Sequence, residues 1–390
     1  MTEVAENTLQ GKRMVVVAMS INQPRVQRRI TYLESIGLDL TVYAFDRRLY
    51  GDNAFVKNSQ ADIRILGSMS CGLGITRLLV WLRAMLLIAL RESFRPKDFA
   101  YYFSFDSTIA RHLIGGRVRV YEISDLRFTS RGRGRLDRLL CWIEDSILRR
   151  FDVIVLTSET FLDELEPRVP GVGRQCIVLE NRMPTDVIRP LRRPSHSPTK
   201  LPIRIGYVGY IRYTDLMVAF AREVAKRPEQ YEFHVYGDGY NLAELREVIE
   251  NHSNLYYHGK YRNPQDLQDV YGNLDLGYAV YDNRDYNVQL AIPNKLFEHV
   301  YFGTPLLVAS DTALSRHVQN WRVGMAVDPQ QPNWAARCLD EIMMAELDEM
   351  KQHCLSVAES QLEIDMSELG TALFRASKAG SYETNPTESS

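Results

Sequence analysis

Asn287-Val-Gln-Leu-Ala-Ile-Pro293-Asn294-Lys295-Leu-Phe-Glu298-His-Val-Tyr-Phe-Gly303-Thr-Pro305-Leu306-Leu-Val-Ala309-Ser310 reads as a short helix running straight into a buried strand. Proline is tolerated in a first helical turn and asparagine can cap free amides, so Pro293 and Asn294 mark the start. Gly303 and Pro305 mark the stop, and Leu306–Ala309 is an apolar strand. Lys295 and Glu298 therefore fall in the first turns, near the positive end of the helix. Such an end favours anions. A carboxylate beside it can accept hydrogen bonds from a vicinal diol such as ribose, and an ammonium can neutralise phosphate. A ribose joined to a diphosphate is what a nucleotide-sugar presents.

The same alternation of strand and helix runs outward in both directions. Upstream, strands are expected at Arg13–Met19, Leu40–Phe45, Tyr101–Phe105, Val118–Ile123 and Asp152–Thr157, with an amphipathic helix over Pro24–Ile36. The pattern restarts at Ile203–Val208 and continues through Glu232–Tyr236, Asn254–His258 and Leu276–Val280, with Asn333–Ser356 helical. Strands separated by helices imply parallel, doubly wound sheets. The fold class is α/β, with two Rossmann-like domains facing a central cleft at the carboxyl ends of their strands. The expected divisions are an acceptor-binding domain over 1–188, a proline- and serine-rich linker over 189–202, a donor-binding domain over 203–378 whose last helix could return to the first domain, and a disordered tail over 379–390.

At 390 residues, 45% hydrophobic and 25% charged, the chain has the composition of a globular protein of two domains. A net charge of −2 argues against a nucleic-acid partner. The five scattered cysteines include no Cys-x-x-Cys pair, which fits a reducing compartment and argues against structural zinc. The polar N-terminus lacks a secretory h-region, so a cytoplasmic location is expected.

Several ordered motifs resemble those of one family. Ile203-Arg-Ile-Gly-Tyr-Val-Gly209-Tyr-Ile-Arg212, Val235-Tyr-Gly237-Asp-Gly239, Leu255-Tyr-Tyr-His-Gly259, Asp266-Leu-Gln-Asp-Val-Tyr271 and Pro293-Asn-Lys-Leu-Phe-Glu298 are similar, in order and spacing, to the donor domain of GT-B glycosyltransferases of the family 4-like type, found in bacterial capsule and exopolysaccharide assembly. In the first half, Gln23-Pro-Arg25-Val-Gln-Arg-Arg29, Val120-Tyr-Glu122-Ile-Ser-Asp125-Leu126, Ile143–Ser158 and Val178-Leu-Glu-Asn181 resemble that family's acceptor-domain landmarks. The resemblance spans roughly residues 13–330. Two positions depart from it: Leu290 stands where a second acid is usual, and Ser124 where a histidine is usual.

The resemblance implies a glycosyltransferase of hexosyltransferase type that takes a sugar from a nucleotide-sugar, UDP-linked by expectation, to a lipid-linked or saccharide acceptor. Carried over by position, Glu298 binds the donor ribose, while Lys295 and Arg212 meet the diphosphate. Gly209, Gly237, Gly239 and Tyr261 border the nucleotide, and Asn287 and Asn294 are polar groups available to the sugar. In the first domain Gln23, Arg25, Asp106, Glu122 and Asp125 are candidates for the acceptor. Asp106, Glu122 and Asp125 could each serve as base if configuration inverts, and Asp125 would orient the acceptor if it is retained. No cofactor and no metal are expected, the nucleotide-sugar being a co-substrate. A nucleotide-sugar epimerase and a non-catalytic nucleotide-sugar-binding scaffold are the alternatives.

Leu73–Leu90, with Arg77, Arg83, Arg91 and Arg95 nearby, is too short and too charged to span a bilayer. It reads either as a packed helix or as one lying on the cytoplasmic leaflet with Trp81 as anchor. The run Arg127–Arg138 is a second basic zone that could attract anionic lipid.

Overall fold

The computed structural model describes residues 7–46, 56, 58–68, 75–108, 110–126 and 135–382. It divides into two compact units, Met1–Leu179 with Asp365–Ser390, and Glu180–Ile364. The first is built on β1 (Arg13–Ala18), β2 (Asp39–Asp46), β3 (Asp62–Ser68), β4 (Phe99–Tyr102), β5 (Val118–Ile123), β6 (Val153–Leu156) and β7 (Cys176–Val178), in the order β3-β2-β1-β4-β5-β6-β7. The second is built on β8 (Ile203–Val208), β9 (Tyr231–Tyr236), β10 (Leu255–Gly259), β11 (Leu276–Ala279), β12 (Leu306–Ala309) and β13 (Gly324–Val327), in the order β10-β9-β8-β11-β12-β13. Every pairing in both sheets is parallel.

Burial explains the run of apolar strands. β1, β4, β6, β11 and β12 are covered on both faces, as parallel strands flanked by crossover helices must be. In each unit the order reverses once. The first sheet steps from β1 to β2 on one side and from β4 to β5 on the other. The second steps from β8 to β9 on one side and from β11 to β12 on the other. Chains leave the strands in opposite directions at those points and open a crevice at the carboxyl ends.

The division differs from the sequence pattern. Residues 180–202 belong to the second unit. The Arg193 guanidinium donates to the carbonyls of Val357 and Cys354, at 2.7 Å each, and Thr199 donates twice to Asp348. A stretch with linker composition is thus held down by the exposed carbonyls at the end of helix Met344–Ser356, a demand that composition does not reveal. The last helix, Ser367–Tyr382, packs against β5, β6 and β7 of the first unit, so helix extends four residues into the expected tail. Residues 383–390 lie outside the described residues. The single helix expected over Asn333–Ser356 is two, Trp334–Glu341 and Met344–Ser356.

Candidate active site

The helix that opened the sequence reading is Lys295–Tyr301, seven residues long. Asn294 does not cap its amides. Its side-chain amide donates instead to Glu298 Oε1 at 2.9 Å, and the Tyr271 hydroxyl donates to Glu298 Oε2 at 2.9 Å. Glu298 is 3% exposed and Lys295 7%. Both stand in the first turns as expected, but they are buried, with tyrosines packed around them. With one bond on each oxygen, the carboxylate keeps acceptor capacity for two more donors.

Lys295 reaches under the reversal point of the second sheet. Its ammonium lies 3.3 Å from the centroid of the Tyr207 ring, on β8, and 5.4 Å from that of Tyr281, just past β11. No acceptor among the described residues bonds it. Aromatic faces attract a cation but do not replace a hydrogen-bond acceptor. Burial pushes the amine well below the usual lysine range; Glu298 opposes that shift, and the positive charge of Arg212 adds to it. An anion brought to this place would be met by an amine poised to take up a proton.

Gly209 follows β8 with φ of +122°, and a Cβ built there would stand 3.1 Å from Lys295 Cε and 4.0 Å from the Tyr261 hydroxyl. Gly237 follows β9 with φ of +140°, and its missing side chain leaves room for the Gly209 carbonyl. Gly239 crosses Ile211, where a Cβ would stand 2.4 Å from the Ile211 carbonyl oxygen. These glycines let the two strand-end loops pack on each other, a reason for their presence that precedes any ligand. Arg212 is exposed in the loop after β8, its guanidinium 5.7 Å from the Tyr210 ring centroid. Asn287 lies in the first turn of helix Tyr286–Leu290, where its N–H is taken by the cap Asp285.

Four residues around this place were given no role in the sequence reading: Tyr207, Tyr271, Tyr281 and His299. The last fills the space over Gly277, where any Cβ would strike its ring at 2.1 Å, and Tyr271 packs edge-on to it. Neither ring nitrogen has a partner among the described residues. Burial, with the charge of Lys295 second, pushes its pKa down to about 3. The folded ring stays neutral while the unfolded one takes up a proton below about pH 6.5. Stability therefore falls as pH drops through that window, by roughly 1 kcal/mol per pH unit. Urea unfolding at stepped pH should show this slope for the wild-type chain and a shallower one for His299→Leu.

In the first unit, Gln23 follows β1, Asp106 follows β4 and Asp125 follows β5, so all three stand at carboxyl ends. Asp125 is exposed and accepts from the Ser124 hydroxyl at 3.1 Å. Glu122 and Arg25 are corrected as acceptor ligands. Glu122 is fully buried and salt-bridged to Arg25 at 3.0 Å and to Arg29 at 3.2 Å, with the Tyr101 hydroxyl also donating to it. Arg29 further donates to the Leu179 carbonyl. A buried carboxylate with each oxygen committed to a guanidinium presents no free oxygen to a substrate hydroxyl. The register of β5 turned this side chain inward, which apolar patterning could not settle for a lone acid.

The two all-parallel α/β units have the fold of GT-B glycosyltransferases, and the buried amine and carboxylate stand at the reversal point of the second sheet. Residues 202–344 match the family model described as Glycosyl transferases group 1. The succinoglycan biosynthesis protein ExoL of Rhizobium meliloti is 23% identical over 337 residues, 81% of each chain. Among solved structures, HepE of Anabaena in complex with UDP-glucose superposes with a TM-score of 0.63 at 11% identity, covering 95% of this chain and 99% of that one. WaaG, a glycosyltransferase involved in lipopolysaccharide biosynthesis, gives 0.64 at 12%, covering 95% and 100%.

Proposed function

We propose that this protein transfers a sugar from a UDP-linked donor to a lipid-linked or saccharide acceptor during exopolysaccharide assembly. The observation that carries the reading is the buried Lys295 amine, with no hydrogen-bond partner among the described residues, one helical turn from Glu298, beneath the reversal point of the second sheet. The succinoglycan relative and the UDP-glucose complex of HepE support the pathway type and the nucleotide.

In this reading the donor diphosphate lies between Lys295 and Arg212, and the Glu298 carboxylate accepts the ribose hydroxyls with its unused lone pairs. The bond from the anomeric carbon to the diphosphate oxygen breaks, and negative charge grows on that oxygen. A cation fixed in advance in a water-poor place stabilises it without reorganisation. The acceptor hydroxyl attacks the anomeric carbon and forms the new bond. Its proton passes to the departing phosphate. The charge-stabilising groups come from the protein, so no metal is required.

Glu298→Gln tests the reading with the fold kept, because an Asn294 amide flip restores a bond to the new amide. Losing charge-assisted bonds worth about 1.5–3 kcal/mol should weaken UDP binding by roughly 10- to 100-fold in calorimetry. Unchanged affinity would remove Glu298 from the donor site. UDP release that depends on an added acceptor distinguishes transfer from epimerisation, and from binding without turnover.

A further inference from the structure

Helix Ile75–Glu92 of the first unit carries an apolar stripe on its outer side. Leu79, Leu82, Leu86 and Leu90 are 49–69% exposed and Phe94, just beyond, is 95% exposed. At 3.6 residues per turn the four leucines fall within an arc of about 80°. Ala84, Met85 and Ile88 are buried on the opposite arc, and Trp81 turns the same way with its indole nitrogen buried. The leucines, not Trp81, face outward, which corrects the expected anchor.

Charge around the stripe has one sign. Arg83, Arg91 and Arg95 are exposed, while the helix's acid, Glu92, is fully buried against Arg13 and the Tyr43 hydroxyl. Helix Arg135–Leu148 repeats the arrangement: Trp142 is 65% and Leu139 51% exposed, flanked by exposed Arg138, Arg149 and Arg150, and Glu144 and Asp145 in its second half are paired with Arg168. The β3-to-β4 and β5-to-β6 crossovers run the same way across the sheet. Right-handed connections then place both helices on one face.

We propose that this face docks on an anionic lipid bilayer, with the leucines, Phe94 and Trp142 in the interface and the arginines at the headgroups. Apolar stripes flanked by arginine suit that boundary and anionic lipid. The proposal rests on the lipid-linked acceptor reading for its purpose, though not for its evidence. Among the described residues no helix is long and apolar enough to cross a membrane, so contact would be peripheral.

The test is sedimentation of the full chain, without nucleotide, on vesicles of phosphatidylcholine with 30–40% phosphatidylglycerol (roughly the anionic load that gives a useful surface potential), in low and high salt. The wild-type chain should bind, and binding should decline as salt screens the arginines. Leu82→Glu with Leu86→Glu should cut partition at least roughly tenfold at either salt, since like-charged residues replace buried apolar area. Arg91→Glu with Arg95→Glu should cut it mainly at low salt. UDP affinity of both variants should match wild type, which separates this proposal from the donor-site reading. No binding at low salt, or binding indifferent to the leucine changes, overturns it. So does a wild-type dimer that the leucine changes split, because the stripe would then be a contact between copies.

Discussion

Lys295→Met is expected to make the protein more stable and far less active. A thioether of similar length fills the space over Tyr207 without burying an unpaired amine. Relieving a buried unsatisfied polar group is worth about 1–3 kcal/mol. For a unit of this size, that raises the unfolding midpoint by roughly 2–10 °C. Removing a preorganised cation from a developing oxyanion costs about 10²–10³ in turnover. Calorimetric melting and UDP release measure the two arms.

Proton linkage adds a second readout. Burial depresses the folded amine's pKa, so over the interval between the folded and unfolded values the unfolded chain binds the extra proton. The stability gap between Lys295→Met and wild type should shrink as pH rises toward the unfolded lysine value of about 10.4. A diphosphate beside the amine raises its pKa again, so UDP binding should take up protons. Calorimetry in buffers of different ionisation enthalpy would detect it. A variant that is less stable than wild type while keeping full turnover would show that Lys295 is an ordinary packing residue.

Gly237→Ala is expected to be the most disruptive small substitution in the second unit. Its Cβ would stand 1.8 Å from the Gly209 carbonyl oxygen, at a backbone φ of +140°. Relief requires the two loops to separate, which strains the bonds from Gly209 N to Tyr236 O at 2.9 Å and from Gly237 N to Gly259 O at 2.6 Å. Backbone strain of 1–3 kcal/mol plus a displaced strand end predicts a loss of about 4 kcal/mol. The same displacement moves Gly209 away from Lys295 Cε, so UDP affinity should fall even where the chain still folds. Gly272→Ala is the control. It lies in helix Leu267–Gly272 with nothing within 4 Å of the added carbon. There the change should stabilise by roughly 0.4–1 kcal/mol. Equal unfolding midpoints for the two alanine variants would refute the loop-packing account.

The sequence by itself determined the architecture, because a strand covered on both faces must be apolar along its whole length. That constraint is local and periodic, so stretches such as Ile203–Val208 and Leu306–Ala309 announce themselves. The order of motifs placed Lys295 and Glu298 in the first turns of the short helix that leads into β12.

Tertiary structure decided what surrounds them. Tyr207, Tyr271 and Tyr281 come from a strand, a helix and a loop, and converge on Lys295 and Glu298 only when the second sheet is assembled. Glu122 lies near the end of the apolar strand that Asp125 follows, yet pairing with Arg25 and Arg29 makes one a buried structural charge and leaves the other exposed. Trp81 and Leu82 are neighbours in an equally apolar run, and the pitch of the helix sent one inward and the other outward. Whether a polar or apolar side chain meets solvent, a partner or packing depends on residues distant in the chain, and that information resides in the fold.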